Sequence, residues 1–117
     1  VNSRDKGIRG EWAWRDKLIE HGYEARRGQQ HAGGGDSPDV VHSVPGVHYE
    51  VKWVEALNHH NAMDQARRDA PPEHMAFVAF RRNVPRTGPR GVTCRGEWFV
   101  MMSAEDHFAL LKAAGYV

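Results

Sequence analysis

The run HMAFVAFRR, residues 74–82, most constrains what this chain can fold into. It is a nearly continuous apolar run and reads as a strand of a sheet covered on both faces. A strand of that kind requires layers above and below it, and the rest of the chain offers them. Residues 4 to 21 read as a helix, with Ile8, Trp12, Leu18 and Ile19 near helical spacing and Gly22 as its stop. Residues 58 to 69 suit a second helix that ends before Pro71-Pro72. Ser103 caps a third, SAEDHFALLKAAG, with acids in its first turn and Gly115 at its end.

Between the helices lie strand candidates. YEARRG (23–28) is one. DVVHSV and VHYEVKW form an expected hairpin around Pro45-Gly46, and EWFVMM (97–102) is a further strand. QQHAGGGDSP (29–38) and NVPRTGPRGVTCRG (83–96) read as loops, the first because consecutive glycines neither pack nor hold a ladder. The expected architecture is α/β: one domain over 1–117, a central mixed sheet flanked by helices, with the N-terminal helix first.

No apolar run reaches the roughly 20 residues that span a bilayer, so no membrane partner is expected. The opening VNSRDKGIRG is polar and does not read as a secretory signal. One cysteine, Cys94, excludes an internal disulfide framework and a multi-cysteine zinc site. A reducing, cytoplasmic setting is the expectation. Net charge is only +1, but between Glu73 and Glu97 no acid occurs while Arg81, Arg82, Arg86, Arg90 and Arg95 do. Such a run is commonly a solvated face; around a Pro/Gly loop it also suits phosphate contact.

The hairpin carries the chemistry. On a strand Glu50 and Lys52 share one face, with Tyr49, Val51 and Trp53 on the other. The antiparallel partner begins at Asp39, so the two acids are expected to converge near one end of the hairpin. Clustered carboxylates repel unless a cation sits between them, and a hard divalent ion with oxygen ligands resolves the conflict. A lysine beside it can orient a water and stabilise charge growing on a phosphate. The plain alternative is an edge-strand Glu/Lys pair kept for solubility.

Two features add weight. At about 100° per residue, Glu11 falls between the bearings of Trp14 and Leu18 and those of Ile8 and Trp12, interrupting the expected packing face. A buried carboxylate needs a partner or a metal; pairing with Arg15 one turn on is the bland solution. The Gly-rich loop before Pro38-Asp39 allows close approach of another backbone, and lacks the Gly-Lys-Ser/Thr of a P-loop. A competing metal reading rests on NHHN (58–61) with His42, His48 and His74, as in an HNH-type nuclease or transition-metal site. His59 and His60, however, point to different helix faces. The four tryptophans, 12, 14, 53 and 98, are expected in the core or at a subunit contact.

KGIRGEWAWRDKLIEHGYEARR, GGGDSPDVV and YEVKW, followed by a glutamine-bearing helix, together resemble the PD-(D/E)xK nuclease superfamily. More narrowly they resemble Holliday-junction resolvases of the archaeal type and their phage and bacterial relatives. The likeness runs from about residue 4 to 69. It implies a restriction-endonuclease-like fold, with Glu11, Asp39 and Glu50 as ligands of Mg²⁺ or Mn²⁺. It also implies Lys52 as catalytic lysine and Gln65 near the active site. The Val51 carbonyl is a candidate further ligand, and no organic cofactor is implied. The activity implied is paired nicking of four-way DNA by a homodimer. Other DNA (flaps, ends, specific duplex sites) and a non-cleaving DNA-binding module are the alternatives. Arg9, Arg26, Arg27, Arg81, Arg82, Arg86 and Arg90 are the expected phosphate contacts.

Overall fold

The protein, seen as a computed structural model, is described over residues 3–28, 40–85 and 93–116. The elements run α1 (Ser3–Glu20), β1 (Ala25–Arg27), β2 (Val40–His42), β3 (Val47–Trp53), α2 (His59–Asp69) and β4 (Met75–Arg81). There follow β5 (Asn83–Pro85), β6 (Thr93–Arg95), β7 (Phe99–Met101) and α3 (Ala104–Ala113). The apolar run of 74–82 is β4, the middle strand of a mixed sheet ordered β3-β4-β7. It pairs in parallel with β3, from Val47↔Met75 to Trp53↔Arg81, and antiparallel with β7. Two parallel neighbours need a crossover, and α2 is that crossover.

Burial follows from this position. Ala76, Phe77, Val78 and Ala79 are all buried, because β4 is covered from both sides. Ala76 and Val78 pack with Ala62 and Ala66 of α2, while Ala79 packs with Trp14 and Leu18 of α1, Val40 of β2 and Val51 of β3. Ala62 and Ala66 lie one turn apart, and their small side chains let α2 sit close to the strand. Asn58 caps α2 by accepting from the Asn61 backbone N–H at 3.2 Å, and the helix stops at Ala70, before the proline pair. The described residues thus form a small α/β domain with three helices and a mixed sheet. Among them no helix is long and apolar enough to cross a membrane.

Three expectations are corrected. The two segments around Pro45-Gly46 are not partners of one another: β2 pairs antiparallel with β1, and β3 with β4. The turn is real, with Gly46 in left-handed backbone at φ 70°, and the Gly46 carbonyl accepts from the Met75 N–H at 2.8 Å, so it delivers β3 alongside β4. Residues 83–96 are not all loop, since β5 and β6 pair antiparallel within them. The inner face of α1 is also rotated from the expected one. Glu11, Trp14 and Leu18 are buried with Gly10, whereas Trp12 and Ile19 are 47% and 50% exposed.

Gly10 explains the rotation. A Cβ built on it would stand 3.1 Å from the Trp53 Cβ, whereas one on Gly7 would meet nothing within 4 Å, so the helix meets β3 at a residue without a side chain. Gly10→Val is expected to destabilise the fold by about 1–3 kcal/mol through overpacking, read as a lowered urea midpoint. A midpoint equal to wild type would mean that α1 does not dock at this residue.

Candidate active site

The site grows from β3. Strand alternation sends Val51 and Trp53 toward α1 and leaves Glu50 and Lys52 on the face crossed by α2. The Glu50 side chain is only 4% exposed, that of Lys52 28%. The Lys52 ammonium lies 3.5 Å from Glu50 Oε2 and donates to Gln65 Oε1 at 3.0 Å. Gln65 is carried by the same helix that Ala62 and Ala66 seat on β4, so packing of α2 fixes the distance between amide and ammonium. One ammonium is therefore held between a buried carboxylate and a neutral amide. In this partly buried setting its charge is less screened than it would be in bulk water.

A separate buried carboxylate comes from α1, the helix that packs on the Val51 face of β3, opposite the face of Glu50 and Lys52. Glu11 is a buried carboxylate with 10% of its side chain exposed, and Arg27 Nε of β1 donates to its Oε1 at 2.8 Å. Arg15, the expected bland partner, instead bonds Asp16 through two nitrogens at 2.9 and 3.0 Å. Asp39 lies outside the described residues. Its neighbour Val40 is 2% exposed and packs in the same cluster as Val51. Val51 itself pairs in register with Ala79. Among the described residues no three His, Cys, Asp or Glu side chains gather as a metal-holding group.

The arginines divide by environment. Arg9, Arg26 and Arg82 are exposed, whereas Arg27 serves Glu11. Arg81 lies against Trp53 and Trp98, 5.2 and 4.9 Å from their ring centroids, and donates twice to the Gly96 carbonyl, at 3.1 and 2.7 Å. That cation–π and carbonyl anchoring ties β4 to the chain before β7. Arg86 and Arg90 lie outside the described residues. Of the tryptophans, Trp14 and Trp53 are core, Trp98 leans on Trp14 at 5.1 Å between ring centroids, and Trp12 is largely exposed.

The histidines are spread out. His59 and His60 are exposed at the start of α2. His48 is buried, and burial first, then the charges of His48 and His74, hold His42 below its ordinary value near 6.5, against a backbone hydrogen bond with Val47 that raises it. His42 Nδ1 accepts from the Val44 N–H at 3.1 Å, so its neutral form is the one in use.

Sequence reasoning missed two contacts, Arg27 with Glu11 and Arg81 with its tryptophans. The first had a signal. Adjacent Arg26 and Arg27 on a strand must face opposite sides, so one of them turns inward and needs an acid. No family model matches the chain, and neither a curated protein nor a solved structure matches it.

Proposed function

We propose that this chain is a metal-dependent, structure-selective DNA endonuclease of restriction-endonuclease-like fold. Its substrate is the four-way junction, nicked in pairs by hydrolysis of phosphodiester bonds. The observation that carries this reading is the Lys52 ammonium held between buried Glu50 and Gln65. A strand serving only as core filling gains nothing from a nearly inaccessible carboxylate beside a half-buried ammonium.

The donor set suits a hard divalent ion. Glu11 and Glu50 are carboxylates withdrawn from water, which bind Mg²⁺ or Mn²⁺ in preference to softer metals. With Asp39 and the Val51 carbonyl they are the residues that would hold it. Bound there, the ion supplies positive charge to the scissile phosphate and acidity to a water. Lys52 donates to the attacking water or to a phosphate oxygen, Gln65 keeps that ammonium aimed, and Arg27 fixes the orientation of Glu11. Exposed Arg9, Arg26 and Arg82, with Arg86 and Arg90, are suited to phosphates along the arms. A two-fold homodimer would offer two such sites to opposite strands of a junction, whose symmetry it shares. The work is placed inside the cell, where DNA is.

One observation favours a second reading, a DNA-binding module that does not cleave. Each buried carboxylate already has a cation of the chain beside it, Arg27 for Glu11 and Lys52 for Glu50. Cleavage of a labelled four-way junction, beside duplex, flap and single-strand controls, separates the two. Symmetric nicks in the junction that require Mg²⁺ are expected. Tight junction binding without nicks, in Mg²⁺ and in Mn²⁺, would establish the binding module, and preferential cutting of flaps or duplex would move the substrate.

A further inference from the structure

Beside Lys52, between the end of β3 and the first turns of α2, opens a pocket of about 190 Å³. Val54, Leu57 and Ala62 give it apolar walls, and Asn58, Asn61 and Gln65 bring side-chain amides to it. A site for a drug-sized ligand runs to roughly 300–1,000 Å³, so this one takes a fragment, a single ring system rather than a whole cofactor. Its lining residues carry one cation and no acid, which suits a group attached to a polyanion.

The amides are not equivalent. Asn58 Oδ1 is engaged by the Asn61 backbone N–H, and Gln65 Oε1 by Lys52. The Asn61 side chain makes no hydrogen bond among the described residues, which leaves both its donor and its acceptor available. An amide with both functions free matches the donor–acceptor edge of adenine, N6 and N7, the edge that asparagine reads in the major groove.

We infer that this pocket holds one nucleobase of the strand being cut, a neighbour of the phosphate at Lys52, and that Asn61 reads it with a preference for adenine. The inference rests on the nuclease reading, because it is Lys52 that joins the pocket to a scissile phosphate. A structure-selective enzyme would then carry a short sequence bias at its cut position, with the apolar walls supplying affinity and one amide supplying discrimination. The pocket is local to the β3–α2 junction, so the bias is confined to one nucleotide near the cut.

Two measurements test this and separate its failure from that of the nuclease reading. In the first, wild type and Asn61→Ala cut four-way junctions randomised around the branch point, and the cut ends are sequenced. Wild type is expected to favour adenine at one position within two nucleotides of the cut by at least about fivefold, and Asn61→Ala to flatten that ratio toward one. An equal ratio in both proteins, or none in wild type, overturns the inference while leaving cleavage intact. In the second, without metal or cleavage, backbone amide resonances are followed as deoxyadenosine monophosphate, deoxycytidine monophosphate or inorganic phosphate is added. Shifts at Asn58, Asn61 and Ala62 that are larger with the adenine nucleotide support the pocket even if no DNA is cut. Equal shifts with inorganic phosphate alone, or none at all, overturn it.

Discussion

Lys52→Ala is expected to lose Mg²⁺-dependent junction cleavage by at least about 100-fold, the range seen when one charge-stabilising donor is removed from a transition state. Junction affinity should stay within a few-fold, since most phosphate contact is made by other cations. The ammonium lies between Glu50 and Gln65 and is only 28% exposed, so its geometry is set before substrate arrives. Removing it deletes a preorganised donor that water can replace only with loss of orientation. Glu50→Gln and Asp39→Asn should fall in the same class. If all three variants still cut in magnesium, this is not the catalytic centre. A melting curve on each variant checks that the fold is retained, because Glu50 is buried.

Arg27→Ala is expected to lower stability by about 2–4 kcal/mol, several times the effect of Arg26→Ala. Arg27 holds Glu11 at 2.8 Å, and the Glu11 side chain is 10% exposed; Arg26, one residue away, faces solvent. The loss comes from taking the guanidinium away from a buried carboxylate more than from the pair itself. Hence the double variant Glu11→Leu with Arg27→Ala should regain most of the stability, and urea unfolding of the four proteins closes the cycle. Matching midpoints for Arg27→Ala and Arg26→Ala would show that the ion pair contributes nothing to the fold.

The sequence revealed elements better than partners. Period and punctuation located α2, β4 and α3 to within a residue or two, because an uninterrupted apolar run, a proline pair and a serine cap are local signals. Who pairs with whom is not local. Pro45-Gly46 fits a hairpin and also fits a turn that hands the chain from one sheet to another, and the second is what occurs. On α1 the apolar residues Trp12 and Ile19 pulled the expected face toward solvent, while the true contact is centred on Gly10, invisible to any hydrophobic periodicity. Within the site, Glu50 and Lys52 on one strand face were legible from alternation alone. The contact of Lys52 with Gln65 was legible only through the resemblance, since nothing in the chain between them states how α2 is rotated.

The β3–α2–β4 crossover has a kinetic consequence. A parallel ladder gains no bond until the whole intervening segment has closed, and loop closure is paid in advance. Lys52 lies on the ladder strand and Gln65 on the crossover helix, so seating α2 on the sheet both closes the ammonium–amide contact and carries β4 back toward β3. Glu11 joins from outside the crossover. Refolding rate and recovery of the lysine's surroundings should therefore rise and fall together when exposed positions of α2 such as Arg67 and Arg68 are changed to weaker helix formers.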